Sequence, residues 1–393
     1  MVAATGVVYE PLGKTTWRNP FDLYRRLRDE DPVHHVANLG FWIATRFEDV
    51  FSAARDPETF SSAEGVTIVN ELEELGLGPT ILQSDAPVHT RYRRVVSREF
   101  TPRRVQHLED ALRRVVQERL DLMREAGGGD FIEDFAVFLP GFAMCHYLDV
   151  PEADRHQFER WVELFVRGGA GGHDDGATDA LDGLRAYLAE LIAERSQRPG
   201  DDLLSAFIGP ADQGAEEFTL EEILGFVFVF ISGGTDTIAG ALGGTAELLT
   251  RHPDQRQKLL DDPTLVPGAV EEFLRLTSPA QGLARKTTRP TTLSGTELPQ
   301  GARLLLCYGA ANRDDREFGP TADEFDVTRA ITRTLTFGSG AHFCLGAAVA
   351  RLQMRVAVEE LVAVPTFSVD FEAGEFADGM FVRRYETLPY SLG

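Results

Sequence analysis

The amino-acid sequence predicts a mainly helical protein with a few small β-sheets. Helical periodicity dominates the chain: in RVQHLEDALRRVVQERLDLM, residues 104–123, apolar side chains return at the spacing of one helix face. These side chains are Val105, Leu108, Leu112, Val115, Val116 and Leu120. Strand-like stretches are few, and PVHHVANLGFWIATR and TTLSGTELPQGARLLLC each predict a hairpin with a glycine-containing turn.

The chain shows no internal repeat, and we expect one domain over residues 1–393. A single stretch, GGAGGHDDGATD from Gly168 to Asp179, is rich in glycine and aspartate and poor in apolar side chains. It lies between two helical patterns, because the sequence resumes with ALDGLRAYLAELIAER. We therefore predict a lid loop over a ligand channel in preference to an interdomain linker.

Charge and composition narrow the class of partner. The chain has 62 acidic and 39 basic residues, so its net charge of −23 argues against nucleic acid, whose phosphates it would repel. No basic segment followed by an apolar run opens the chain, and no window approaches 18 uninterrupted apolar residues, so we expect no membrane partner. Three widely separated cysteines, Cys145, Cys307 and Cys344, favour neither a disulfide framework nor a CxxC metal site, and we expect a reducing, cytoplasmic location.

The third cysteine lies in an unusual loop, TFGSGAHFCLGAAVAR. Gly338 and Gly340 form G-x-G, but the third glycine of a dinucleotide fingerprint would stand at position 343, which is Phe343. The residues favour instead a loop that approaches a flat ligand, followed by a helix whose first turn carries Cys344. Amide groups at a helix start stabilise a thiolate, and a lone thiolate suits one axial position of haem iron. Taken alone, the cysteine is more simply interpreted as a small buried thiol in a loop than as a haem ligand.

The ten residues FGSGAHFCLG, 337–346, resemble the haem-binding loop of the cytochrome P-450 superfamily at every fixed position. NPFDLYRRLRDEDPVHHV and DPETFSS near the start and RYETLPYSL near the end match the family in order along nearly the full chain. The resemblance implies the single triangular-prism-like P-450 domain of a soluble bacterial member that binds haem b (iron protoporphyrin IX). It implies that Cys344 is the axial ligand of the haem iron. It also implies cofactor contacts from glycines and one aromatic residue: Phe337, Gly338, Gly346, Gly233 and Gly234.

A second stretch, FVFVFISGGTDTIAGALGG, lies in a predicted helix over about residues 220–250. Gly233 and Gly234 weaken this helix by roughly 1 kcal/mol each relative to alanine, so we expect them to serve a purpose. Thr237 is placed to donate its hydroxyl to the carbonyl of Gly233 four residues earlier, which would open a groove. Asp236 and Thr237 resemble the family's acid–alcohol pair, which delivers protons to oxygen at the haem; the alternative is a close helix crossing that needs small residues.

Two further sets of charged residues match the family. Glu272 and Arg275, in EEFLRL, are three apart on one helix, and the resemblance implies a buried, structural pair that holds the cysteine-loop region. A third partner of this pair is left open between Arg329 and Arg313, because Glu324 stands where many members have an arginine. The resemblance also assigns His89, Arg93, Arg285 and His342 to the two haem propionates, where several charge-assisted bonds would orient the porphyrin.

These features predict a haem-thiolate monooxygenase that inserts one oxygen atom of O₂ into an apolar organic small molecule, by hydroxylation or oxidative dealkylation. Two electrons would come from NAD(P)H through a separate ferredoxin and ferredoxin reductase, and we expect Arg94, Arg98, Arg351 and Arg355 to offer the ferredoxin a basic patch. A peroxide-driven peroxygenase and a non-enzymatic haem-based sensor are the alternatives. By family position, the substrate would be lined by Phe226, Val229, Phe230, Ala280, Leu283, Met380, Phe381 and Val382.

Overall fold

The computed structural model of the chain describes residue 9 and residues 17–68, 80–169, 175–208, 217–377 and 381–392. Within these ranges most residues are helical, as the sequence predicts. The helices are α1 (Phe21–Glu30), α2 (Phe47–Ala54), α3 (Val88–Val96), α4 (Pro102–Val105), α5 (Glu109–Ala126), α6 (Phe138–Tyr147), α7 (Arg155–Gly169), α8 (Asp175–Gln197), α9 (Leu203–Ile208), α10 (Leu220–Arg251), α11 (Pro253–Asp261), α12 (Val266–Thr277), α13 (Tyr308–Ala311), α14 (Asp315–Phe318) and α15 (Ala347–Val362). Short turns of 3-10 or π helix occupy Ser97–Phe100, Gln106–Leu108, Ile132–Ala136, Glu152–Asp154, Pro263–Leu265 and Gly340–His342.

Short strands form small sheets. The strands are β1 (Val33–Val36), β2 (Phe41–Ala44), β3 (Phe60–Ser61), β4 (Gly128–Asp130), β5 (Gly282–Thr287), β6 (Thr291–Leu293), β7 (Thr296–Leu298), β8 (Arg303–Cys307), β9 (Phe367–Val369), β10 (Glu375–Phe376), β11 (Tyr385–Thr387) and β12 (Pro389–Leu392). They are arranged as β1-β2-β8-β5-β3, β4-β12-β9, β6-β7 and β10-β11.

Both predicted hairpins form, and the second is shorter than expected. The antiparallel pair β1–β2 confirms the first one. In the second segment only β6 and β7 pair with each other, whereas β8 leaves them and lies between β2 and β5 of the larger sheet. The reason is burial: four of the five β8 residues are buried, and the larger sheet supplies neighbours on both sides of the strand.

Helix α10 is the central element of the fold. Its 32 residues span about 48 Å, and it contacts α6, α8, α12 and α15. A capping box begins it, because the Thr219 hydroxyl accepts from the amide of Glu222 while the Glu222 carboxylate accepts from the amide of Thr219. The helix is long and apolar enough to cross a membrane, but 61% of its most apolar stretch is buried inside the protein, as in a core helix.

The predicted lid loop is mostly helical where the structure describes it. Helix α7 continues to Gly169 and helix α8 begins at Asp175, so the prediction of a loop from Gly168 to Asp179 was too long at both ends. Helices propagate through weak helix formers once a stable helix is in place, since the cost of nucleation is already met. The glycine-rich stretch between the two helices, residues 170–174, lies outside the described residues.

Candidate functional site

The cysteine loop connects the short turn Gly340–His342 to helix α15. Gly338 and Gly340 adopt φ angles of 66° and 73°, which side chains other than glycine rarely take. A Cβ on Gly340 would also lie 2.5 Å from the carbonyl oxygen of Ala54, at the end of α2. The loop therefore needs these glycines for its own backbone path and for its close approach to a neighbouring helix.

Cys344 does not lie in the first helical turn, as predicted, but three residues before α15 begins at Ala347. The amide of Cys344 donates to the carbonyl of Phe337 at 2.9 Å, which closes the loop. Gly346, which the sequence assigns to cofactor contact, is the cap residue of α15, and a Cβ there would meet no atom within 4 Å. The side chain of Cys344 is thus presented ahead of the helix start instead of along its side.

The surroundings of the Cys344 sulfur act on its charge in opposite directions. Desolvation by the surrounding protein is the largest effect and raises the pKa of the thiol on balance, although the residue is exposed to solvent. The backbone amides of Gly346 and Ala347 hydrogen-bond the sulfur and lower the pKa, as do the guanidinium groups of Arg93 and Arg351. The helix-start amides that the sequence predicts for a thiolate are therefore present.

The Glu272–Arg275 pair is fully buried, as expected. Arg275 donates to the two Glu272 carboxylate oxygens at 2.6 and 2.8 Å, and neither side chain is exposed. Arg329 supplies the third member that the sequence left open, since its Nε donates to Glu272 Oε1 at 3.1 Å. Arg313, the other candidate, instead pairs with Asp323 and donates to the carbonyl of Leu276.

This network extends to the start of the cysteine loop. Nη1 of Arg275, which does not bind Glu272, donates to the carbonyl of Asn312 at 2.7 Å. The Asn312 side chain accepts from the amide of Leu335 at 2.7 Å and donates to the Thr336 hydroxyl at 3.0 Å. Asn312 is thus the link between the ion pair and the loop, and sequence reasoning missed it because a buried asparagine carries no motif of its own.

Four cationic or potentially cationic side chains gather beside the loop: His89, Arg93, Arg285 and His342. The rings of His89 and His342 lie 4.2 Å apart, and Arg93 donates to the carbonyl of Phe343. Burial lowers the pKa of both histidines, and the neighbouring arginines lower it further, to about 3 for His342. Positive groups therefore crowd together here at an electrostatic cost.

The same cluster tests whether haem fits. Nε2 of His89 and Nε of Arg93 are buried and have no hydrogen-bond partner among the described residues. Buried polar atoms are normally paired, so unpaired nitrogen atoms beside the charges of Arg93 and Arg285 indicate an anionic group in the complete protein. Two propionates would meet that need, and the Cys344 sulfur stands on the same loop as His342; the residues present therefore fit haem.

Helix α10 carries the predicted hydroxyl–carbonyl bond. The Thr237 hydroxyl donates to the carbonyl of Gly233 at 2.7 Å, which confirms the inference from the sequence. The two glycines differ, because a Cβ on Gly233 would meet nothing within 4 Å whereas one on Gly234 would lie 2.6 Å from the Met144 side chain. Gly234 thus serves the close helix crossing that the sequence left as an alternative, and Gly233 lies beside open space.

Asp236, next to Thr237, has a partner that sequence reasoning missed. Its Oδ1 lies 3.0 Å from Nε of Arg384, a residue just before β11. Burial raises the pKa of the Asp236 carboxyl, and Arg384 lowers it. The two residues are 148 positions apart in the sequence, so no local spacing could have indicated the pair.

The predicted substrate-lining residues come from three elements, two of which are joined. Ala280 bridges to Val382, and the amide of Gln281 donates to the carbonyl of Phe381 at 3.0 Å. Ala280, Leu283, Phe381, Val382 and Phe230 are partly exposed, whereas Val229 and Phe226 are buried. The Phe226 ring packs against Tyr92 and Phe207, so its burial is explained by the core. Met380 lies outside the described residues.

The predicted arginine patch is smaller than expected. Arg351 is bound by both carboxylate oxygens of Glu271, at 2.6 and 3.0 Å, and Arg355 pairs with Glu109 and Glu359. Arg98 is exposed and pairs with Glu99. Arg94 is exposed and has no ion pair within the part of the chain that the structure describes.

Comparison with known proteins gives matches over nearly the whole chain. A family model described as Cytochrome P450 matches residues 146–376. Cytochrome P450 130 of Mycobacterium tuberculosis (strain ATCC 25618 / H37Rv) is 48% identical over 389 residues, which cover 96% of each chain. Vitamin D(3) 25-hydroxylase of Pseudonocardia autotrophica is 33% identical, over 96% of this chain and 95% of that protein.

Solved structures give the same result. Cytochrome P450 PksS of Bacillus subtilis 168 superimposes with a TM-score of 0.87 at 28% identity, over 98% of this chain and 100% of that one. The Mycobacterium marinum cytochrome P450 CYP268A2, in complex with pseudoionone, superimposes with a TM-score of 0.88 at 29% identity, over 98% and 99% of the two chains. The mainly helical fold with small sheets is therefore shared along nearly the full length of the chain.

Proposed function

This chain belongs to the cytochrome P450 family as a haem-thiolate monooxygenase of the bacterial type, and from that premise we propose which residues do the chemistry. Cys344 would hold the haem iron through its sulfur, and His89, Arg93, Arg285 and His342 would bind the propionates. Phe337, Gly338 and Gly346 contact the cofactor. When bound, haem supplies the iron at which O₂ is activated. Support comes from the amides at the Cys344 sulfur and from the unpaired donors of the cationic cluster.

We propose that Asp236 and Thr237 deliver protons to the oxygen side of this site. The observation that carries the proposal is the 2.7 Å bond from the Thr237 hydroxyl to the Gly233 carbonyl, beside open space at Gly233. This bond fixes the direction of the hydroxyl, so its lone pairs are free to accept a proton from an acid. Asp236 is the adjacent carboxyl group, and burial raises its pKa towards the range useful for proton transfer.

The substrate that fits these walls is an apolar organic small molecule, which the enzyme hydroxylates or oxidatively dealkylates. Phe230, Leu283, Phe381 and Val382 are partly exposed apolar side chains at the predicted positions. A relative that is a vitamin D(3) 25-hydroxylase and a structural neighbour that binds pseudoionone agree with this class of substrate. The pocket residues exclude bulk water by their apolar surface, which strengthens the electrostatic interactions inside.

Electrons come, in this proposal, from NAD(P)H through a ferredoxin reductase and a ferredoxin in the cytoplasm. The exposed, unpaired Arg94 is the strongest candidate for contact with an acidic ferredoxin, while Arg351 and Arg355 already hold carboxylates. A single uncompensated charge at a rim affects the association rate more than the final affinity.

The proton-delivery role is tested with two threonines of the same helix. Thr235 makes the same type of bond as Thr237, from its hydroxyl to the carbonyl of Ile231 at 2.9 Å, but it is buried beside Met144. We expect Thr237→Ala to consume NAD(P)H with a ferredoxin chain and to release more hydrogen peroxide per product formed. Thr235→Ala should keep the wild-type ratio. Equal ratios in Thr237→Ala, Asp236→Asn and the wild type would contradict the proposal.

A further inference from the structure

Two stretches of the predicted substrate wall meet in a short antiparallel bridge between Ala280 and Val382. Two backbone bonds flank this pair: from the amide of Arg383 to the carbonyl of Pro279 at 2.7 Å, and from the amide of Gln281 to the carbonyl of Phe381 at 3.0 Å. The place of the bridge therefore decides where the partly exposed side chains of this wall stand.

Helix α10 supports the bridge from one side. A Cβ on Gly240 would lie 3.0 Å from the carbonyl oxygen of Arg383 and 3.2 Å from Cβ of Pro279, so the helix touches both bridged stretches. Gly240 follows Thr237 by three residues, about one helical turn. The bridge thus rests on the helix next to the proposed site of proton delivery.

The side chain of Arg383 reaches away from this helix, towards the N-terminal part of the chain. Arg384 pairs with Asp236 of helix α10, and successive side chains of an extended segment point to opposite faces. The Arg383 guanidinium donates to the carbonyl of Trp17 at 2.7 Å and to that of Arg18 at 3.0 Å. Burial lowers the pKa of Arg383, so this charge is held behind the wall at a cost.

Tyr24 of helix α1 holds the other stretch at the matching position. Its hydroxyl donates to Oε1 of Gln281 at 2.8 Å, and both side chains are buried. Nε2 of Gln281 donates to the carbonyl of Ser278 at 2.7 Å, which fixes the direction of the amide group. Gln281 and Arg383 thus flank the bridged pair, one on each stretch, and residues 17–24 bind both of them.

The N-terminal segment is itself anchored. Arg18 donates to the carbonyls of Phe371 and Glu372 at 2.9 Å each and to that of Gly374 at 3.1 Å. Trp17 is buried. A side chain that recognises a ligand keeps its place only when the layer behind it is also fixed, and this segment meets that condition.

We propose that residues 17–24 form a clamp on the substrate wall, which fixes the two bridged stretches against helix α10 and so decides which width of apolar substrate fits. The clamp acts through the Tyr24 hydroxyl and through the carbonyls that bind Arg383. Tyr24 and Arg383 are positioning residues, because both are buried behind the wall. The inference rests on the proposed function, from which it takes the wall, and it adds the part of the chain that positions this wall.

The test is a spectral titration of the haem-loaded protein with imidazoles, whose ring nitrogen binds haem iron and whose substituent projects from it. Imidazole, N-benzylimidazole and N-tritylimidazole are probes of increasing width. We expect Tyr24→Phe and Arg383→Lys to raise the affinity for the trityl probe relative to the benzyl probe about 2- to 10-fold, the effect of one lost hydrogen bond. Imidazole should bind as in the wild type, since it is too small to reach the wall.

Two further variants control this experiment. Arg256→Lys is the matched control, because Arg256 is also buried and donates to backbone carbonyls, including that of Phe367 at 3.1 Å, beyond the end of helix α15. It should keep the wild-type ratio of the two affinities. Phe381→Ala removes a side chain of the wall itself and should change that ratio. Tyr24→Phe loses a hydroxyl and keeps the ring, so the core around it stays filled.

A wild-type ratio in Tyr24→Phe or in Arg383→Lys, with a changed ratio in Phe381→Ala, would overturn the clamp and leave the wall in place. A wild-type ratio in Phe381→Ala would overturn the assignment of the wall, and the clamp with it. A purely structural role of residues 17–24 predicts lower urea midpoints with unchanged ratios, and an equal change of the ratio in Arg256→Lys would likewise contradict the proposal.

Discussion

Two arginine–carboxylate pairs, one tied to the cysteine loop and one on helix α10, differ in almost every respect. Arg275 and Glu272 have no exposed surface, bind through two oxygens and share the third partner Arg329. Nε of Arg384 lies 3.0 Å from Oδ1 of Asp236, and both side chains keep some exposure, 11% and 21%. The first pair also reaches the cysteine loop through Asn312, whereas the second joins a helix to a chain segment at the substrate wall.

The difference follows from what each pair must do. A buried ion pair is tolerated only when its hydrogen-bonding capacity is filled, and then removal of one partner is strongly destabilising. A pair that keeps some exposure costs less to open than a fully buried pair, because water replaces part of what is lost. The Glu272–Arg275 pair is therefore suited to hold its surroundings fixed, and the Asp236–Arg384 pair is the more easily opened of the two.

The largest expected effect is on stability. Arg275→Gln leaves Glu272 charged, buried and short of donors, so we expect a loss of about 3–5 kcal/mol in the free energy of unfolding. Arg384→Gln should cost less, about 1–3 kcal/mol, since the Asp236 carboxylate left behind is partly exposed. Urea unfolding of the two variants measures both values. Equal losses in the free energy of unfolding would show that the two pairs stabilise the fold to the same extent.

A second prediction concerns the cationic cluster, where neutral propionates should bind poorly. Each charge-assisted bond to a propionate contributes about 1.5–3 kcal/mol, or roughly a 10- to 100-fold change in affinity. We therefore expect the dimethyl ester of haem to bind apoprotein at least ~10-fold more weakly than haem. In Arg93→Leu the difference between haem and its ester should shrink. A wild-type protein that binds both equally would show that the unpaired donors serve something else.

The smallest effect is expected at the surface. Arg94→Gln should slow reduction by a ferredoxin a few-fold at low ionic strength, and added salt should remove the difference, because exposed charges are screened. Arg351→Gln should have a weaker effect, since Glu271 already neutralises that side chain. Stopped-flow reduction at two salt concentrations measures both variants. A larger effect of Arg351→Gln than of Arg94→Gln on the reduction rate would contradict the inference that Arg94 is the main contact for the ferredoxin.

Motifs that are local in the sequence predicted much of the site. The loop around Cys344, the Glu272–Arg275 pair and the Thr237–Gly233 bond each lie within ten residues, so backbone geometry alone brings their members together. The mainly helical fold with small sheets was predictable for the same reason, since it rests on periodicity and on a motif specific to one family. The sequence narrowed the third partner of the Glu272–Arg275 pair to Arg329 or Arg313, and the structure shows that it is Arg329.

The contacts that the sequence did not predict join segments that are distant along the chain. Arg384 reaches Asp236, and Asn312 joins Arg275 to Leu335, only after the whole chain has folded. The ion pair between Arg351 and Glu271 could not be predicted from the sequence either, because Glu271 lies 80 residues earlier. The place of Cys344 before α15 depends on where the helix starts, which is the least reliable feature of a sequence-based prediction.

The central claim is that Cys344 is the thiolate ligand of haem, and the reduced carbon monoxide complex tests it most directly. The wild type, Cys145→Ser and Cys307→Ser should all show the long-wavelength band that gives the family its name, because Cys145 and Cys307 are buried whereas Cys344 is exposed. Cys344→Ser should bind haem and lose the band. A Cys344→Ser protein that kept it would contradict the assignment.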